Sequence, residues 1–393
     1  MRTVSVLLVG IGGYGNTMVR EIVGNPSKKI RLVGVVDPYP EKCSLISELI
    51  SENVPVFPDM ESFYKTNKAD LAVISTPIFL HTQHILAALD NSSNVLCEKP
   101  LCSDEKDIEI LKEAQRRSGK FIYIGYQWSY SEPITKLKKD IASGKYGKLK
   151  EMKTLILRPR NRDYFGRGVG WAGKICTADG NKVYDSVANN SAAHYLFNML
   201  FVLGKDKEAA KYTDVTAELL RANDIENFDV SKIQFKINGK TATFIAAHPV
   251  DKTIEPVFEY RFEKGTVYYS SQKSDAAELL MQKEYTEYGS ITALMHSGEK
   301  IVYGDPMADP CRKLHMAVDA IIEEKTDDGP CGIDAAAVHT RMINKIQKEF
   351  SIKPVKKELM REKDNLLYAE GLFEHLVEMY KNTDLLLDEF CGE

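Results

Sequence analysis

The most constraining feature of this sequence is its opening, where the apolar run Val4–Val9 leads directly into Gly10-Ile11-Gly12-Gly13-Tyr14-Gly15. A short β-branched run bounded by glycine fits a strand buried on both faces. Tyr14 to Val23 then has helical composition, and Arg31 to Val36 is a second buried strand that ends at Asp37. In a G-x-G-x-x-G turn the first glycine permits the tight bend and the second lets backbone approach a pyrophosphate. The third lets the helix pack close to the strand. The helix start offers N–H groups and a positive dipole end to phosphates. Asp37 lies 22 residues past Gly15. A carboxylate there accepts hydrogen bonds from ribose hydroxyls and repels a 2′-phosphate, which predicts NAD rather than NADP. Gly10, Gly12, Gly13, Tyr14, Gly15 and Asp37 are therefore expected to hold the dinucleotide.

The alternation continues. Glu41 to Glu52, Phe79 to Asp90 and Asp104 to Ser118 are predicted helices, and Leu71 to Ser75, Asn94 to Cys97 and Phe121 to Ile124 are predicted strands. Such alternation implies a doubly wound parallel sheet covered by helices. After Ser131 the texture changes. Helices are predicted at Ile134 to Ser143 and Asn190 to Leu203, with a long strand at Leu149 to Arg158. Asn161 to Asp185, with Gly166, Gly168, Gly170 and Gly173, is expected to be a long loop. Strand-like runs between Thr213 and Ser271, broken at Asn238-Gly239 and Lys264-Gly265, suggest an antiparallel sheet. Helices are expected again at Pro310 to Glu324, Asp334 to Glu349 and Leu366 to Tyr380. The expected domains are 1–130, a nucleotide-binding domain; 131–350, a substrate and oligomerisation domain; and 351–393, a helical extension.

The 393 residues carry 52 Lys plus Arg against 56 Asp plus Glu, a net charge of −4, so no electrostatic case arises for nucleic acid or an anionic membrane. The longest apolar run, Tyr195 to Leu203, is too short to span a bilayer. No leader is expected, because Arg2 to Val9 already has the character of a core strand. Seven cysteines, at 43, 97, 102, 176, 311, 331 and 391, include no CxxC pair. The odd count and the spacing argue against a disulfide framework or a zinc site, and a cytoplasmic protein without a metal is expected.

Two further segments make the chain recognisable. Ser75-Thr76-Pro77 ends a strand, with His81 four residues on, and Asn94 to Cys97 runs into Glu98-Lys99-Pro100. Together with the glycine motif, this resembles the Gfo/Idh/MocA family of NAD(P)-dependent oxidoreductases. The resemblance implies an N-terminal Rossmann domain followed by an α/β domain with a large open antiparallel sheet, and a homodimer or homotetramer formed through that sheet. It places Thr76, Pro77, His81, Glu98 and Lys99 at the cofactor and makes Lys99 catalytic, with Pro100 cis. A lysine at the carboxyl end of a parallel strand faces the crevice where ligands bind, and a neighbouring cationic nicotinamide would favour its neutral, basic form. The family's Asp-x-x-x-His aligns with Asn190-Ser191-Ala192-Ala193-His194. His194 and Asn190 are thus expected to be catalytic, as neighbours on one helix face. Asn190 stands where the family has aspartate, and asparagine orients but does not raise a histidine pKa. Asp185 is near in sequence, yet its spacing puts it off that helix face.

Tyr126, Trp128, Tyr164 and Trp171 are candidate platforms for the apolar faces of a sugar, or else plain packing residues. Arg160, Arg162 and Arg167 either line a solvated loop or meet an acidic sugar; His84 and His248 have no supporting pattern and are expected to be structural. These expectations give an NAD-dependent oxidoreductase acting on a secondary hydroxyl of a sugar, cyclitol or glycoside. Two rivals remain: a glycoside-cleaving enzyme that recycles its hydride, and a non-catalytic NAD-binding regulator.

Overall fold

The computed structural model describes residues 2–24, 26–167, 170–271, 278, 280, 287–327 and 329–392. Gly168 of the glycine-rich loop lies outside them. The chain divides into two compact units, 1–130 with 309–340, and 131–308 with 341–393.

In the first unit the apolar runs form six strands: β1 (Val4–Val9), β2 (Ile30–Val36), β3 (Val56–Phe57), β4 (Leu71–Ile74), β5 (Asn94–Cys97) and β6 (Ile122–Ile124). They pair in parallel in the order β3-β2-β1-β4-β5-β6. The order reverses direction at β1 and β4, and ligands of open α/β sheets bind beyond the carboxyl ends at such a switch point. Those ends carry Gly10, Asp37, Ser75-Thr76-Pro77 and Glu98-Lys99.

Residues 309–340, expected in the second domain, belong to this unit. Ile124 N–H donates to the Cys331 carbonyl at 2.8 Å, Lys29 pairs with Asp319 at 2.6 Å and Lys112 with Asp334 at 2.6 Å. The helix Arg312–Ile322 buries Lys313, Leu314, Ala317, Val318, Ala320 and Ile321. Its apolar stripe packs beside β1, β5 and the turn Gln127–Tyr130, and that tertiary requirement left no local mark at residue 309.

The second unit is built on nine strands: β7 (Leu149–Leu157), β8 (Thr213–Arg221), β9 (Val230–Ile237), β10 (Lys240–Ala247), β11 (Ile254–Phe262), β12 (Gly265–Ser270), β13 (Ile291–Met295), β14 (Lys300–Gly304) and β15 (Ile352–Pro354). Their order is β14-β13-β12-β11-β7-β10-β9-β8-β15, antiparallel except for the parallel pairs β7/β10 and β8/β15. Alternation along β7 separates the two faces. Leu155 and Leu157 pack with Phe373, Leu376 and Tyr380 of the helix Leu372–Lys381. On the other face Tyr260 meets Thr154 and Asn198 of the helix Ala193–Phe201.

The helical reading of Leu366 to Tyr380 is half wrong. Leu366–Ala369 is a strand, β17, antiparallel to β16 (Met360–Lys363), and the helix starts only at Leu372 after the left-handed Gly371. Leu366 and Leu367 fit either period, so only the pairing partner decides. Asn161 to Asp185 is not wholly loop: Arg162–Phe165 forms one helical turn, capped by Asn161 Oδ1 on Tyr164 N–H at 3.2 Å. Among the described residues no helix is long and apolar enough to cross a membrane, and no cluster of metal-ligating side chains occurs.

Candidate active site

The glycine turn of the first unit is shaped by contact. A Cβ on Gly15 would lie 2.1 Å from the Gly10 carbonyl oxygen, so the helix Gly15–Gly24 can approach the strand only as glycine. Gly10 has φ +80°, and a Cβ there would meet Thr76 at 2.9 Å. A Cβ on Gly13 would meet nothing within 4 Å, and one on Gly12 only Lys42 at 3.8 Å. The outer side of the turn is therefore open, and a pyrophosphate fits there. Asp37 stands at the end of β2, where Oδ2 accepts from Ile11 N–H at 2.9 Å and Gly12 N–H at 3.3 Å. Oδ1 accepts from Tyr39 N–H at 2.8 Å. The residue expected to meet the ribose thus also braces the turn.

After β4, Thr76 Oγ1 contacts His84 Nδ1 at 3.0 Å. His81 is not a pocket residue. It is buried, with Nδ1 2.7 Å from the Pro100 carbonyl and Nε2 3.0 Å from the Thr76 carbonyl. Burial holds its pKa below the ordinary value, and a neutral imidazole has one N–H to offer two acceptors. His81 therefore spans the segments on either side of the β4 and β5 ends, which corrects its expected place at the cofactor. The Lys99–Pro100 bond is cis. Lys99 is partly exposed beside the buried Glu98 and Pro100.

Glu98 pairs with Lys313, whose side chain is 0% exposed. Lys313 Nζ also donates to the Gly125 carbonyl at 3.3 Å and lies 4.7 Å from the Tyr14 ring centre. One ammonium thus ties the glycine turn to the ends of β5 and β6. Sequence reasoning missed Lys313, although a lysine sharing the apolar stripe of Ala317 and Ile321 was a usable signal. Tyr126 and Trp128 are 1% and 2% exposed, and Tyr126 Oη contacts His339 at 2.9 Å. Neither shows an open ring face, so both are core residues and not sugar platforms.

In the second unit the ends of β7 and β10, the start of β11 and the turn 185–192 form one polar cluster. The Asn190–His194 stretch is not a continuous helix: Ala192 caps a helix that begins at Ala193, so Asn190 lies in the preceding turn. That turn brings in Asp185, contrary to the spacing argument. Its buried carboxylate accepts from Asn190 Nδ2 at 2.7 Å and from Gly173 N–H at 2.6 Å, and pairs with Arg167 at 3.4 Å. A carboxylate therefore touches the asparagine expected to be catalytic. His194 is half-buried in the first turn of the helix, beside Tyr195, at a ring separation of 6.4 Å.

Tyr164 lies between two guanidiniums, Arg167 at 3.6 Å and Arg160 at 4.6 Å from its ring centre. Burial pushes its phenol pKa up. Arg167 also stands 5.0 Å from the half-buried Trp171 ring. Arg158 pairs with Glu255 at 2.5 Å. His248, expected to be merely structural, joins this cluster. Its Nδ1 lies 2.8 Å from the Arg158 carbonyl, which can only accept, so Nδ1 carries the hydrogen and Nε2 accepts from Ser191 Oγ at 2.9 Å.

Burial, with Arg160, Arg158 and Arg167 nearby, pulls the His248 pKa from 6.5 to about 3. The folded ring stays neutral while the unfolded ring protonates first, so its stabilisation is complete above pH 6.5 and is lost as pH falls toward 3. Lowering pH from 7 to 5 should cost ~2 kcal/mol through this residue. Unfolding free energies from urea denaturation at the two pH values should differ less in His248→Gln than in the parent, by about that amount.

Residues 4–126 match the family described as "Oxidoreductase family, NAD-binding Rossmann fold", GFO_IDH_MocA. A 2,7-anhydro-N-acetylneuraminate hydratase of Mediterraneibacter gnavus is 26% identical over 149 residues, 38% of each chain. The scyllo-inositol 2-dehydrogenase (NADP(+)) of Bacillus subtilis is 24% identical over 269 residues, 62% of this chain and 70% of its own. Matches to three such curated relatives span 38%, 30% and 41% of their lengths. The solved WlbA dehydrogenase of Bordetella pertussis, in complex with NADH and UDP-GlcNAcA, aligns at TM-score 0.60 and 21% identity, over 68% of this chain and 78% of its own. The glycine turn and the Glu98-Lys99-Pro100 segment both lie within residues 4–126, the part of the chain that matches the NAD-binding Rossmann fold of the Gfo/Idh/MocA oxidoreductase family.

Proposed function

We propose that the protein is an NAD-dependent oxidoreductase that acts on a secondary hydroxyl of a sugar, cyclitol or glycoside. The observation that carries this reading is the convergence of the open glycine turn, Asp37 and Lys99 at the carboxyl ends of one parallel sheet. The dinucleotide supplies the hydride acceptor or donor when bound. Gly12, Gly13 and the helix start would hold its pyrophosphate, and Asp37 the adenosine ribose, with repulsion of a 2′-phosphate favouring NAD. Lys99 takes the hydroxyl proton. Asn190, held by the Asp185 carboxylate, orients the substrate, and His194 assists the proton's departure. Relatives named for inositols support a polyhydroxylated substrate.

A second reading returns the hydride and leaves no net oxidation. A relative named as a hydratase favours it, as does an asparagine at position 190. Absorbance of reduced nicotinamide separates the two, with purified protein, NAD+ and a panel of sugars, cyclitols and glycosides. Accumulating NADH, with NADP+ at least about tenfold poorer, supports the dehydrogenase. Substrate consumed without NADH supports the hydride-returning reading. A panel wholly unconsumed, with NAD bound, overturns both in favour of a regulator.

A further inference from the structure

Three arginines crowd the polar cluster of the second unit, and their charges are not fully matched. Arg158 has Glu255 as its partner and Arg167 has Asp185. Arg160 follows β7 two residues after Arg158, is half-buried, and forms no ion pair among the described residues. Its Nε is buried without a hydrogen-bond acceptor. Its guanidinium lies over Tyr164, which also faces Arg167, so the aromatic ring spreads the cationic patch without neutralising it. The nearby His248 is neutral and its hydrogen bonds are already committed to Arg158 and Ser191. Three guanidiniums against two carboxylates leave one positive charge in excess. A half-buried guanidinium with an unsatisfied N–H is costly unless an anion reaches it. A carboxylate matches its planar fork in two parallel hydrogen bonds.

We propose that Arg160 is a specificity residue that receives the carboxylate of an acidic carbohydrate substrate, such as a uronic or other sugar acid. The inference rests on the sugar-oxidoreductase reading and narrows its substrate class. Asp185 and Glu255 repel a carboxylate, so the anion must approach from the Arg160 and Tyr164 side. The two carboxylates then confine it to one orientation. Neutral sugars would leave Arg160 unsatisfied and bind more weakly.

The test measures binding of D-glucuronate and D-galacturonate against D-glucose and D-galactose by calorimetry, with NADH present. D-glucose 6-phosphate and inorganic phosphate form a third arm. Parent protein should bind at least one uronate about tenfold or more tighter than its neutral counterpart. Arg160→Gln should abolish that ratio by lowering uronate affinity about tenfold or more, and Arg160→Lys should retain part of it. Thermal midpoints of both variants confirm folding. An unchanged ratio in Arg160→Gln overturns the proposal, as does a parent protein without preference for uronates. Tight phosphate binding with indifference to uronates also overturns the carboxylate assignment. Arg160-dependent uronate binding without any nicotinamide oxidation or reduction would remove the redox reading alone. Redox turnover of neutral sugars, indifferent to Arg160, would remove this inference alone.

Discussion

Lys99→Met should lower kcat by about 10²- to 10⁴-fold while leaving the affinity for NADH nearly unchanged. Methionine keeps the length and apolar stem of lysine and removes the proton acceptor. Glu98 would keep its partner, because its carboxylate is held by Lys313. NADH affinity from nicotinamide fluorescence and turnover in the same preparation separate the two effects. A variant within threefold of the parent would exclude Lys99 as the base. Loss of NADH binding in parallel with kcat would assign Lys99 to holding the cofactor instead. Since a lost general base shows its largest effect where it would be deprotonated, the deficit should also grow toward alkaline pH.

Lys313→Met should destabilise the first unit by about 3–5 kcal/mol, a large share of a domain's stability. The substitution leaves Glu98 nine-tenths buried with no countercharge. Glu98→Gln/Lys313→Met removes both charges and should recover most of the loss, because a buried pair contributes little net stability but punishes removal of one partner. Urea denaturation of the parent, the single and the double variants closes the cycle. Additive losses would mean that the two side chains act independently. A Lys313→Met protein as stable as the parent would mean that Glu98 is protonated or solvated in its place.

What was legible in the sequence was local. β1, the glycine turn and the end of β2 each declare themselves within a few residues, because backbone sterics and strand periodicity act over that range. The Glu98-Lys99-Pro100 segment sits directly after a strand and was legible for the same reason. The partners of those residues were not. Lys313 reaches Glu98 across 215 positions in the chain. Asp185 reaches Asn190 only because Asn190 lies in a turn and the helix expected to start there begins at Ala193. Tyr126 and Trp128 illustrate a different gap: an aromatic residue after a strand suits a binding face or a core equally well, and only burial tells them apart. His248 was set aside for lack of a motif, yet its role depends on strands β7 and β10 ending side by side.

Residues 309–340 complete a unit whose other part ends at Tyr130. A ribosome therefore releases the first six strands long before it releases Lys313. During that interval the nascent Glu98 carboxylate has no buried ammonium to meet, and the edge of β6 has no Cys331 carbonyl to cover it. Vectorial synthesis cannot finish this domain first, as it does for a contiguous one. Cells starved of late translation, or fragments cut after residue 130, should accumulate an unlocked nucleotide fold exposed to proteases.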